Sequence, residues 1–169
     1  MVRLGKQFFT RDVLAVAEDM LGVHLIRVFL DGTMGRFVVT EVEAYKGTED
    51  LACHASKGRT SRTEIMFSPG GFAYVYLIYG MYWMLNVVAG PAEEPQAVLI
   101  RGLKECSGPG RLTRLLQIDK SFNGEDFLTS NRIWFEAGVK PSGIKKSPRI
   151  NVDYAGEYWA NVPWRFEAD

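Results

Sequence analysis

Glu41, Glu43 and Tyr45, two carboxylates and a phenol at every second position, are the residues whose type and spacing most directly suggest chemistry. In an extended strand such residues share one face. A carboxylate there can take a proton from water and steady a positive charge forming beside it. If the alternation stays regular, Phe37 and Val39 lie on that same face, with Val38, Thr40, Val42 and Ala44 on the other. Such a face begins apolar and runs from the core into a cleft or out to solvent. Paired carboxylates also fit hydrolysis of a sugar bond, which needs the two groups to flank one bond at about 5 to 9.5 Å.

The second chemically suggestive stretch is Phe72 to Asn86, FAYVYLIYGMYWMLN. Period-two alternation on both sides of Gly80 predicts a β-hairpin with Tyr79-Gly80 at its tip. A turn tip faces water and favours small polar residues, so a tyrosine there is misplaced for folding. Either another part of the domain covers it, or it is a wedge held out on a stiff ribbon to insert between stacked partners. Further on, AVLIRGL, residues 97–103, is an apolar strand with Arg101 inside it. A guanidinium in such a strand needs a carboxylate from a neighbour or a wetted face.

The elements that must position these residues read as follows. Thr10 is a candidate N-cap for a helix carrying Val13, Leu14, Ala17, Met20 and Leu21 on one face, ended by Gly22. Val23 to Leu30 predicts a strand, Asp31-Gly32 a turn, and Arg36 to Tyr45 the returning strand. Residues 47–63 form a long Gly-, Ser-, Thr- and charge-rich loop holding Cys53-His54, and long ordered loops are often functional. Gly108-Pro109-Gly110 breaks the chain before a short helix over residues 111–118, a weak phosphate-site signal. Residues 133–136 predict a strand, 140–148 a basic loop, and 149–152 and 164–166 final strands. The expectation is an α+β fold: a single compact domain over residues 1–169, with a curved, mostly antiparallel sheet, flanking helices and a protruding aromatic hairpin.

Composition bounds the partners. Lys plus Arg equals Asp plus Glu, 20 against 20, so the total charge does not call for nucleic acid. Basic residues nevertheless cluster around residues 57–62, 101–120 and 140–149, enough for one basic face if they converge. Cys53, Cys106, His24 and His54 do not have zinc-site spacing, so no metal is expected, and the cysteine usage fits a reducing, intracellular setting. There is no secretory signal, and no stretch approaches the roughly 20 apolar residues of a membrane span.

In combination, Glu41-Val42-Glu43-Ala44-Tyr45, Asp50-Leu51-Ala52-Cys53-His54, MFSPGGFAYVYLIYGMYWMLN, VLIRGL and GPGRL resemble the alkyladenine (3-methyladenine) DNA glycosylase family. The resemblance runs in register from LGKQFFTRDVLAVAEDMLG to INVDYAGE and the Arg165-Phe166 pair. It implies a monofunctional base-excision enzyme that flips an alkylated or deaminated purine from double-stranded DNA and hydrolyses its N-glycosidic bond. No metal or cofactor is implied, and the expected state is a monomer in the cytoplasm or nucleoid of a prokaryote, or the nucleus of a eukaryote.

The resemblance further implies Glu43 as the catalytic carboxylate, with Arg101 and the Val152 carbonyl holding the water. It implies Tyr45, His54 and Tyr76 as base-binding residues, Asn86 as the group excluding guanine, and Tyr79 as the inserted wedge. Lys57, Arg59, Arg62, Arg111, Arg114, Lys145 and Lys146 are the candidates for phosphate contacts, and Glu41 is expected to be structural or charge-tuning. Relatives of this kind continue beyond the Arg165-Phe166 strand, so the end at Asp169 is expected to loosen the sheet edge beside Val152. A neutral total charge also implies modest non-specific DNA affinity. If Tyr76 and Asn86 line one pocket, a regular two-residue turn fails, because it pairs residue 76 with 83. A three-residue loop, or two residues and a bulge, pairs 76 with 84 and 74 with 86. A non-catalytic nucleic-acid-binding module with the same wedge is the main alternative.

Overall fold

A computed structural model of the chain describes residues 2–169. Its trunk is β2 (Met34–Lys46), 13 residues long, paired along its first part to β1 (His24–Val28) and along the rest to β5 (Gln96–Leu103). The aromatic hairpin, β3 (Ala73–Ile78) and β4 (Tyr82–Ala89), extends the sheet through β5. On the other side β1 pairs with β7 (Ile133–Glu136). Short β6 (Cys106–Ser107) pairs with β5, and β9 (Arg165–Ala168) lies between β2 and β8 (Ile144–Ser147). Every pairing is antiparallel, as expected, and the helices α1 (Lys6–Phe9), α2 (Val13–Met20), α3 (Pro109–Leu115) and α4 (Glu157–Asn161) are short.

The helix expected from Thr10 starts two residues later. Asp12 is the cap, its carboxylate accepting the Leu14 N–H at 2.9 Å, while Thr10 ends α1. Asp12 wins because it lies directly before the first apolar-periodic residue. The 140–148 segment is not simply a basic loop: β8 occupies its end, with Lys145 and Lys146 paired opposite Glu167 and Phe166. Adjacent lysines hide a strand from a propensity reading but suit a sheet edge, where charge discourages pairing with other molecules. No final strand forms at 149–152. Arg149 turns inward, the Ile150 N–H goes to a side chain, and Asn151 is left-handed with φ 59°. β9 is paired with β2 over Arg165–Glu167 and with β8 over Arg165–Ala168.

The central strands divide the molecule. One face carries Val42, Ala44, Val75, Leu85, Val87, Val98 and Ile100, all buried in the main core with α2 and α3. The opposite face carries Glu43, Tyr45, Tyr74, Tyr76, Asn86 and Ala97. The regular alternation expected for β2 does not hold. Val39 and Val42 both enter the main core, three positions apart, as do Leu103 and Ile100 opposite them. Register irregularities on either side of Glu41 put two consecutive non-core residues on each strand, Thr40-Glu41 and Arg101-Gly102. Glu41 and Glu43 therefore do not continue a face begun by Phe37 and Val39. Gly102 permits this: a Cβ there would lie 3.0 Å from the Glu41 Cβ and 3.1 Å from the Thr40 hydroxyl oxygen.

Candidate active site

A cross-strand row organises the site. Tyr74 pairs with Asn86, Asn86 with Leu99, Leu99 with Glu43, and Glu43 with Arg165. Directly paired residues share a face, and strands lie about 4.8 Å apart. The row thus sets Tyr74, Asn86, Leu99 and Glu43 one strand spacing apart on one wall, with Tyr76 and Tyr45 in the rows to either side. The hairpin has the register that the pocket requires, Tyr76 opposite Met84 and Tyr74 opposite Asn86. Above this wall is a cleft of about 910 Å³ lined by Glu43, Tyr45, His54, Arg62, Tyr76, Arg101 and Val152 among others. A recess of about 40 Å³ shares Tyr45, His54 and Tyr76 with it and reaches Cys53, Met66, Asn86 and Ala97.

Glu43 has no solvent exposure, and a carboxylate in that position requires partners. Its Oε1 accepts the Ile150 N–H at 2.7 Å and lies 3.5 Å from Arg101 Nε, and its Oε2 accepts the Tyr45 hydroxyl at 2.6 Å. Burial, then the Glu43 charge, holds the Tyr45 hydroxyl well above its usual range, so it remains a donor. Of the two readings open for Arg101, a carboxylate partner or a wetted face, the partner is present: Arg101 donates to Glu41 Oε1 at 3.0 Å. The same oxygen accepts from Arg165 at 3.0 Å. Glu41 is thus occupied by two guanidinium groups, which leaves Glu43 as the carboxylate on the cleft. The Val152 carbonyl accepts the Ala155 N–H at 2.9 Å and keeps a second lone pair.

Two partners were not legible in the sequence. Tyr74 places its hydroxyl 2.8 Å from His54 Nδ1, while the Asn86 amide donates to the Tyr74 carbonyl at 3.1 Å. Burial, then the charge of Arg62, lowers the His54 pKa to about 4, so its imidazole is neutral at pH 7. Arg149, fully buried, forms a bidentate pair with Asp50 at 2.6 and 2.9 Å and donates to the Ala44 and Trp159 carbonyls. Its guanidinium carbon lies 4.8 Å from the Tyr45 ring centre, bracing that wall from behind. Only the period-two position of Tyr74 beside Tyr76 could have flagged it, and nothing local ties Arg149 to Asp50. Burial pushes the Cys53 thiol up to about 12, which leaves it no role as a nucleophile at neutral pH.

At the hairpin tip Tyr79 is uncovered, 77% exposed. Tyr79 and Gly80 both have positive φ, 53° and 66°, in a turn closed by the Met81 N–H to the Ile78 carbonyl at 3.1 Å. Glycine adopts this conformation freely, whereas a residue with a Cβ pays about 1–2 kcal/mol. Tyr79 also lines the cleft, but not the recess beside His54.

The basic candidates differ in their surroundings. Arg62 and Arg111 line the main cleft, and Lys57 lies in an adjoining groove with Arg62. Arg59 is bound to Glu93 and Glu64, Lys146 is bound to Glu18, Lys145 is exposed on β8, and Arg114 lies over Tyr82. No group of three or more His, Cys, Asp or Glu side chains that could hold a metal occurs among the described residues. No helix among them is long and apolar enough to cross a membrane.

The sequence matches the family model described as methylpurine-DNA glycosylase over residues 7–106 and 104–169. Among curated proteins, one from Legionella pneumophila (strain Corby), named "Putative 3-methyladenine DNA glycosylase", is 45% identical, over 98% of this chain and 94% of its own length. Proteins of the same name from Methanocella arvoryzae and Natranaerobius thermophilus are 42% and 38% identical. The first match covers 96% of this chain and 90% of the relative, the second 98% and 94%. With the family model spanning nearly the whole sequence and these relatives aligned end to end, the chain belongs to the methylpurine-DNA glycosylase family.

Proposed function

We propose that this protein is a monofunctional DNA glycosylase that draws a damaged purine out of duplex DNA into the cleft and hydrolyses its N-glycosidic bond, leaving an abasic site. The observation that carries the reading is Glu43, a carboxylate fixed by Ile150 and Tyr45 at the floor of an aromatic-walled cleft. A base inside the stack is out of reach, and extruding it costs a few kcal/mol, least for lesions that pair badly. Tyr79, exposed on the stiff hairpin, fills the vacated space, which accounts for an aromatic residue in a strained turn. The extruded base lies between the Tyr45 and Tyr76 walls.

As the bond to the sugar lengthens, C1′ becomes cationic. Glu43 stabilises that charge and takes a proton from a water whose oxygen bonds to C1′. Arg101 and the Val152 carbonyl orient the water, and Arg101 and Arg165 keep Glu41 out of the chemistry. Asn86, held by Tyr74, crowds a 2-amino group, which separates guanine from adenine and hypoxanthine. The names of the relatives support alkylated adenine as a substrate, and Arg111 on the cleft and Lys57 in the adjoining groove are the basic residues assigned to the strand's phosphates. The glycosidase alternative weakens because Glu41, its second carboxylate, is occupied by two arginines.

The test is incubation with duplex oligonucleotides carrying 3-methyladenine, 7-methylguanine or hypoxanthine, followed by hot alkali. Strand cleavage only after alkali, with release of the free base, is the expected result. Intact strands with all three lesions would overturn the proposal.

A further inference from the structure

Breaking the bond between C1′ and N9 leaves its electron pair on the purine. A base alkylated at N3 or N7 departs neutral, because the pair cancels its positive charge. An uncharged purine departs as an anion unless a group in the pocket donates to it. The floor chemistry of Glu43 does not address that difference, so the base side of the cleft must.

Most of the cleft's candidate donors are unsuited or engaged. His54 is neutral at pH 7, and its Nδ1 is bonded to Tyr74. The Tyr45 hydroxyl is given to Glu43, and burial raises the Tyr76 hydroxyl far above neutrality. Arg101 is bound to Glu41, and Arg149 is bound to Asp50 behind the wall. Arg62 differs from all of these. Like Arg111 it lines the cleft and joins no ion pair among the described residues, but of the two only Arg62 lies against the base-site wall, its guanidinium carbon 5.1 Å from the centre of the Tyr76 ring and its side chain meeting the Tyr74 hydroxyl. Arg59, three positions earlier in the same loop, is tied to Glu93 and Glu64.

The backbone carrying Arg62 is also pinned. Buried Thr63 donates its hydroxyl to the Gly58 carbonyl at 2.9 Å and accepts the Thr60 N–H at 2.9 Å. A free guanidinium on a fixed loop, set against a ring that walls the base site, can reach the acceptor edge of a base stacked there. It need not surrender a proton, since its charge and its five N–H groups suffice to hold an anion.

Resting on the glycosylase reading above, we propose that Arg62 is the leaving-group residue for neutral purines, donating to the departing base at its N7 and O6 edge. Water bonds to C1′, its proton goes to Glu43, and the N9 electron pair leaves with the purine as an anion held by Arg62. The anion then takes one proton from solvent, and Glu43 gives the proton it took from water back to solvent. For an already cationic base the same guanidinium is a like charge, so its removal leaves excision unimpaired or faster.

The experiment compares single-turnover excision of hypoxanthine and of 7-methylguanine from saturated duplex by wild type, Arg62→Gln and Arg62→Lys. Arg62→Gln is expected to slow hypoxanthine release on the order of tenfold or more while 7-methylguanine release holds or rises, with Arg62→Lys in between for hypoxanthine. An equal fall on both bases, or no change on either, overturns the proposal. Wild type that releases 7-methylguanine but no hypoxanthine overturns it alone, whereas wild type that releases neither removes the glycosylase reading with it.

Discussion

The two faces of the central strands are built from adjacent residues and do opposite work. On β4, Leu85 has no exposed surface and packs in the main core, while its neighbour Asn86 points the other way and is bonded to Tyr74. On β2, Val42 and Ala44 are core and Glu43 between them is on the cleft. The core face is aliphatic and held by burial alone, so shape and volume decide its energetics. The cleft face is polar and aromatic, and its members are held by directed bonds: Tyr45 to Glu43, Tyr74 to His54, and Asn86 to Tyr74. Stability is thus concentrated on one face and positioned chemistry on the other, within a single sheet thickness.

The largest predicted effect separates Leu85 from Asn86. Leu85→Ala should cost about 2–5 kcal/mol in urea unfolding while leaving the excision rate per folded molecule unchanged. Asn86→Ala should cost far less stability and instead admit guanine, read as abasic sites in undamaged duplex. If Leu85→Ala altered base selection, the division between faces would not hold.

A smaller effect concerns acid. His54 on the cleft face has its pKa lowered from 6.5 to about 4. Between those values the unfolded chain binds a proton there and the folded chain does not. Stability therefore falls as pH drops from about 6.5 to about 4, and this group adds no further slope below that. Unfolding at pH 7 and pH 5 should show a loss of about 2 kcal/mol from this residue, absent in His54→Gln. Identical slopes in the two proteins would place the acid sensitivity elsewhere.

Much of the cleft face was legible in the sequence because its signals are local. Period two around Gly80, combined with the need for Tyr76 and Asn86 to share a pocket, predicted the register of β3 and β4, and the turn has that form. Arg101 inside an apolar strand left a carboxylate partner or a wetted face open, and Glu41 is the partner. What escaped depended on distance along the chain. Arg149 and Asp50 are 99 positions apart, and neither has a neighbour that announces the other. The irregular pairing at Glu41 depends on Gly102, which sits on a different strand, so the alternation of β2 read alone gave the wrong face for Phe37 and Val39. Arg59 and Arg62 look alike in sequence. Glu93, from another loop, makes one an ion-pair member and leaves the other free.

The most direct test of the account is Glu43→Gln, which changes the cleft floor by one atom and leaves Val42 and Ala44 in the core. The account predicts a variant that folds and binds lesion-containing duplex but whose single-turnover excision is slower by about a thousandfold or more. Excision at the wild-type rate in that variant would contradict it.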